Sequence, residues 1–85
     1  MSLPNNNMRR QANNILNHAA NGRVNQAITA RNNLANNINN SNKVTNANVK
    51  KVFAFMEDVD GKLAKILKII TSNMVKKTTY KFNNN

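Results

Sequence analysis

The chain has 85 residues and no cysteine, and its formal net charge is +10 because 13 Lys and Arg outnumber three acidic residues. This length fits one small domain, and the lack of cysteine excludes disulfide bonds and thiolate metal sites. The basic excess, together with 21 Asn among the 85 residues, favours a polyanionic partner, since almost nothing on such a surface repels phosphate.

The first predicted element is helical and covers residues 6–40. At about 100° per residue, the apolar stripe before Asn21-Gly22 is rotated relative to the stripe after it. Asn-Gly is also a frequent signal for the end of a helix. A continuous helix and two helices broken near Gly22 therefore both stay open. The apolar residues recur at the helical spacings of three and four, and they are Met8, Ala12, Ile15, Leu16, Ala19, Ala20, Val24, Ala27, Ile28, Leu34, Ala35 and Ile38.

A polar loop is predicted at residues 41–45, followed by a second helix at 46–77 and a tail at 78–85. The phase of the apolar pattern does not change at Gly61, so we expect the second helix to be continuous there. Phe53 and Leu67 are expected to widen its apolar seam. The seam alternates in steps of three and four, as in a heptad repeat, and consists of Val49, Val52, Met56, Val59, Leu63, Ile66, Ile70 and Met74.

These elements predict a single all-α domain, an antiparallel helical hairpin of two long helices over residues 1–85. Two helices alone leave much of a heptad seam in water, and a core of this size is marginal in one chain. We therefore predict a homodimer in which two hairpins form a four-helix bundle.

The residues needed for catalysis or for a bound cofactor are missing from the sequence. His18 is the only histidine, and the carboxylates are confined to residues 57–60. The segment Asp58-Val59-Asp60-Gly61 resembles part of a calcium loop, but oxygen ligands are required where Met56 and Leu67 stand. We therefore predict no enzyme, no metal site and no cofactor.

Membrane insertion is not expected, because no apolar run approaches the roughly 18 residues of a transmembrane helix. No apolar stretch of signal-peptide length follows Met1, which predicts a cytoplasmic, intracellular protein. A basic helix lying on a membrane surface fits the pattern of the second helix, but a bundle core explains that pattern equally well.

Six lysines of the second helix lie opposite its apolar seam on a helical wheel. Few acidic residues interrupt them, whereas an ordinary solvated helix face carries interspersed Glu. This face is a candidate for contact with phosphates, and a solvated face without a partner is the alternative. The six residues are Lys50, Lys51, Lys62, Lys65, Lys68 and Lys76.

The first helix carries every arginine and most of the asparagines. On one continuous helix, Arg9, Arg23 and Arg31 would share a broad sector. Arginine can bind a phosphate through two parallel hydrogen bonds, and asparagine can reach sugars, phosphates or base edges. The alternative for Arg23 and Arg31 is that their apolar stems cover the edge of a bundle. The candidate residues of this helix are Arg9, Arg10, Asn13, Asn17, Arg23 and Arg31.

The function predicted from these features is non-enzymatic nucleic-acid binding through a basic helical surface. Duplex RNA is favoured over DNA, because no helix-turn-helix pattern with a short recognition helix is visible and a long helix can read shape. The small size and biased composition suit a virus or mobile element. The second hypothesis is a protein–protein interaction module, an inhibitor or assembly factor, that binds an acidic partner protein.

Overall fold

The computed structural model describes the backbone of residues 3–83 and the side chains of residues 3–72. Over this range the chain is all-α, as predicted, with helices α1 (Asn6–Ala20), α2 (Val24–Asn39) and α3 (Val49–Asn83). The predicted helix at 6–40 is therefore two helices, and the broken alternative is the one observed. α1 packs against both α2 and α3.

α1 begins at a side-chain cap and buries a single stripe. The side-chain oxygen of Asn5 accepts a hydrogen bond from the backbone N–H of Met8 at 2.9 Å, which satisfies one of the unpaired donors of the first turn. Buried residues then follow at steps of four, three and four: Met8, Ala12, Ile15 and Ala19. The small alanines in this stripe allow neighbouring helices to approach closely.

The break between α1 and α2 is a Schellman motif formed by the Asn-Gly pair. Gly22 has φ of +79°, which a residue without a Cβ adopts readily. Its N–H donates to the carbonyl of Ala19 at 3.0 Å, and the N–H of Arg23 donates to the carbonyl of His18 at 2.8 Å. The last carbonyls of α1 are thus satisfied at the turn, and the chain leaves the helix there.

The two glycines should respond in opposite ways to alanine. We expect Gly22→Ala to destabilise the fold by about 1–2 kcal/mol, because an L-residue is strained in the left-handed region. Gly61 lies inside α3 with ordinary helical backbone, so Gly61→Ala should stabilise it by about 0.5–1 kcal/mol. A Cβ at either position meets nothing within 4 Å, so packing does not obscure the comparison. Urea unfolding followed by circular dichroism measures both changes, and equal signs would contradict the assignment of the break.

The loop before α3 is longer than predicted and begins at Asn40. The Asn48 side chain holds it by accepting from the N–H of Thr45 at 2.7 Å and donating to the carbonyl of Lys43 at 2.9 Å. α3 therefore starts at Val49, three residues after the predicted boundary. It continues to Asn83, so the predicted tail at 78–85 is helical over its described part.

One continuous cluster of apolar side chains joins the three helices. From α3 it takes three residues of the predicted seam, Val52, Val59 and Leu63, and Met56, Ile66 and Leu67 pack against it. Phe53, which was predicted to widen the seam, is instead 57% exposed, and Ile28 of the predicted α2 stripe is 41% exposed. The rest of the core is Leu3, Met8, Ala12, Ile15, Ala19, Ala27, Leu34 and Ile38.

α3 is much longer than the body it packs on. It has 35 residues, against 15 in α1 and 16 in α2. The chain consequently measures 59 × 19 × 17 Å. Leu63 is the last buried residue of α3 in the described core, and the helix continues for a further 20 residues to Asn83. The predicted homodimer and its four-helix bundle stay predictions.

Candidate nucleic-acid interface

The lysines predicted on the second helix lie on the solvent face of α3. Opposite the buried residues Val52 and Val59, this face carries exposed amines that extend over 18 residue steps, or about 27 Å at about 1.5 Å per residue. Lys76 lies outside the described side chains. We call the following five residues the lysine face: Lys50, Lys51, Lys62, Lys65 and Lys68.

Only one member of the lysine face is neutralised by an acidic group of the described chain. Lys62 Nζ lies 3.1 Å from Asp58 Oδ2, in an exposed i,i+4 pair. Such pairs contribute little to stability and are readily exchanged for other partners. Of the two other acids, Glu57 makes no ion pair with a described residue, and Asp60 pairs with Arg31 of α2. The five lysines of this face therefore outnumber the two acids that interrupt it, Glu57 and Asp58.

The predicted residues of α1 form a second exposed surface. Arg9, Arg10, Asn13 and Asn17 are exposed on the side of α1 away from its buried stripe. The Arg9 guanidinium donates only a long hydrogen bond, 3.4 Å, to the side chain of Asn6. The Arg10 guanidinium makes no hydrogen bond to a described residue. These groups are free to contact a partner.

Arg31 has a structural partner instead of a free guanidinium. Its Nε and terminal nitrogen donate two parallel hydrogen bonds to Asp60, both of 2.9 Å. The pair joins α2 to α3 and is partly buried. Hydrogen bonding from Arg31 lowers the pKa of Asp60 and raises the pKa of Arg31, although partial burial acts in the opposite direction on each. The predicted contribution of Arg31 to nucleic-acid binding would require this pair to open.

The pair predicts a pH dependence of stability. The pKa of Asp60 is lower in the folded chain than in the unfolded chain, so the pair stabilises the fold at neutral pH. This stabilisation is lost as the pH falls from about 4, the ordinary carboxyl range, through the lowered pKa. Asp60→Asn should therefore flatten part of the acid limb of a stability–pH curve measured by urea unfolding. Asp58→Asn, which leaves Arg31 paired, is the control, and equal curves for the two variants would contradict this assignment.

The break also separates arginines that were expected to share one sector. Arg23 lies beyond the end of α1, so its direction no longer follows from the register of Arg9. Its Nε donates to Nδ1 of His18 at 2.9 Å, across the Schellman turn. The common sector of Arg9, Arg23 and Arg31 assumed one continuous helix, so it no longer follows from helix register.

The structure has two concave surfaces that the sequence did not predict. A cavity of about 230 Å³ lies where the start of α1 meets the end of α2, with Leu3, Met8, Leu34 and Ile38 among its lining residues. A groove of about 360 Å³ lies between the last turn of α1 and one side of α2. No spacing rule connects these segments, because the turn at residues 21–23 brings them together.

Within the described chain, His and carboxylate side chains form no group of three that could bind a metal ion. The described helices also include none with the length and apolar content needed to cross a membrane. Comparison of the chain with protein-family models, curated proteins and solved structures found no match.

Proposed function

We propose that the protein is a non-enzymatic nucleic-acid-binding protein that contacts phosphates through the lysine face of α3. The observation that carries this proposal is the exposure of five lysines along one helix face on which only Lys62 has an acidic partner among the described residues. A polyanion that contacts such a face releases condensed counterions, and this release favours binding.

The exposed residues of α1 supply a different kind of contact. Arg10 can bind a phosphate through two hydrogen bonds, whereas Asn13 and Asn17 can reach sugars or base edges. We favour duplex RNA over duplex DNA, because these long helix faces suit contact with backbone and 2′-hydroxyl groups more than insertion of a short recognition helix.

The proposal is tested by a panel of duplex RNA, duplex DNA and single strands in fluorescence anisotropy at increasing salt. Binding through the lysine face should weaken steeply as salt increases, and duplex RNA should bind most tightly. If none of the nucleic acids binds at about 50 mM salt, the proposed function is wrong.

We also propose that two chains associate through α3. Ile66 and Ile70 continue the apolar seam along this helix, and both are only partly buried by the chain itself. Helices in proteins gain most of their stability from packing of an apolar face, and Leu63 is the last buried residue of α3 in the described core. Pairing of two copies through α3 would cover the seam. Sedimentation equilibrium tests this association, and a monomer at all concentrations would exclude it.

Binding of an acidic partner protein is the second candidate function, and exposed apolar groups on α3 favour it. Phe53 is 57% exposed and Ile69 is 62% exposed. On a helical wheel Ile69 falls within the lysine face and Phe53 lies beside it, so an acidic helix with apolar anchors could bind there. A stable monomer that binds no nucleic acid would favour this function over the first.

A further inference from the structure

The groove between α1 and α2 is lined by five polar side chains and Ala30, none of which carries a formal charge. It is a shallow groove that is largely open to solvent, with a volume of about 360 Å³. No carboxylate lines it in the described part of the chain. The lining residues are His18, Asn25, Gln26, Thr29, Ala30 and Asn33.

Three of these residues form a ladder along α2. Asn25, Thr29 and Asn33 follow one another at intervals of four residues, so their side chains are neighbours on successive turns. An amide and a hydroxyl each offer both a donor and an acceptor. None of the three side chains forms a hydrogen bond with another described residue. The ladder therefore presents unused donors and acceptors to whatever enters the groove.

His18 is the residue of α1 that lines the groove, and Arg23, in the turn before α2, is bonded to it. Arg23 Nε donates to His18 Nδ1 at 2.9 Å. Because Nδ1 is the acceptor, the hydrogen of the neutral ring is on Nε2, which becomes one more donor. The terminal nitrogens of Arg23 make no hydrogen bond to a described residue. A cation thus lies beside a neutral, hydrogen-bonding groove.

α2 has no free charged side chain for a phosphate. Its single charged residue is Arg31, which is held by Asp60. Phosphate attraction must therefore come from other helices, and α2 can contribute selectivity through hydrogen bonds. Phosphates are alike in RNA and DNA, so only contacts with the sugar or the helix shape distinguish the two.

We infer that the groove binds ribose of an RNA strand, with Asn25, Thr29 and Asn33 hydrogen-bonding the 2′-hydroxyl and Arg23 contacting an adjacent phosphate. A ribose hydroxyl is at once donor and acceptor, and the ladder matches both. The inference rests on the proposed function and adds to it the site at which RNA is distinguished from DNA.

The test compares three duplexes of one sequence: RNA, 2′-fluoro RNA, which lacks the hydroxyl donor, and DNA. Dissociation constants are measured by anisotropy for the wild type and for Asn25→Ala/Asn33→Ala. We expect the wild type to prefer RNA. The double variant should lose roughly fivefold to 150-fold in affinity for RNA, the effect of two hydrogen bonds, and should bind the other duplexes unchanged. Thr29→Val, which keeps the shape and removes the hydroxyl, should act in the same direction.

Asn36→Ala is the matched control, because Asn36 is exposed on α2 and does not line the groove. It should leave all three dissociation constants unchanged, and circular dichroism should show that every variant keeps its helix content. If RNA selectivity survives in the double variant and in Thr29→Val, or if Asn36→Ala lowers it equally, the inference is overturned while nucleic-acid binding stands. If the wild type binds no duplex, the proposed function and this inference both fail.

Discussion

Lys65→Gln and Lys68→Gln should each reduce the salt dependence of duplex RNA binding. Both side chains are exposed on α3, and neither has an acidic partner among the described residues. If each amine contacts one phosphate, its removal lowers the slope of log K against log salt by about one. The double variant should lose about two units of slope. Anisotropy titrations at four or more salt concentrations give these slopes directly.

Lys43→Gln controls for the general loss of positive charge. Lys43 is exposed in the loop before α3 and is not a member of the lysine face, and its substitution removes the same charge as each test variant. Its slope should equal that of the wild type. If all three single variants reduced the slope equally, the binding would depend on net charge and the lysine face would have no special role.

Leu34→Ala should have the largest effect on stability among simple substitutions in α2. Leu34 is fully buried, at 0% exposure, in the cluster that joins the three helices. Truncation of such a leucine removes apolar burial and leaves a cavity, at a cost of about 2–5 kcal/mol. Small domains are stable by only about 5–15 kcal/mol, so the variant should be partly or fully unfolded at 37 °C. Urea unfolding monitored by circular dichroism measures the loss.

Ile69→Ala is the matched control, because Ile69 is 62% exposed on α3. In an isolated chain its truncation should change stability by no more than about 0.5 kcal/mol. A concentration-dependent loss of several times that value would show that Ile69 is buried between two chains. If Leu34→Ala were as mild as Ile69→Ala, the core described above would be wrong.

Periodicity was sufficient to predict much of the helical core. Ile15 and Leu34 belong to the apolar stripes, and Val52, Val59 and Leu63 belong to the α3 seam, and all are buried. Such residues are predictable because a helix repeats every 3.6 residues whatever it packs against. Phe53 shows the limit of this argument. Phe53 lies beside the seam, and the positions of the neighbouring helices decide whether this side of α3 is buried.

The sequence indicated a possible break in the first predicted helix, but it could not decide between a broken and a continuous helix. Asn21-Gly22 permits a Schellman turn, yet a glycine can also lie inside a helix, as Gly61 does. Gly22 and Gly61 differ in the tertiary packing around them, and this packing determines whether a turn back lowers the free energy of the folded chain. The consequence for the site was large, because the turn ended the helix register on which the common arginine sector rested and formed the groove beside His18.

The ion pair between Arg31 and Asp60 could not have been predicted from spacing. The two residues are 29 positions apart, and helix-wheel arguments apply only within one helix. The lysine face was easier to locate, because all five members lie on a single helix whose buried side was already known. Whether these residues bind a nucleic acid depends on a partner and stays a prediction.

The length of α3 affects how the molecule moves through a solution or a gel matrix. A body of 59 × 19 × 17 Å has a larger frictional coefficient than a sphere of the same 9.5 kDa. A single chain should therefore elute early in size-exclusion chromatography, at the volume of a heavier globular standard. Column calibration would therefore overestimate the number of chains. Light scattering on the eluting peak measures mass independently of shape and gives the correct number.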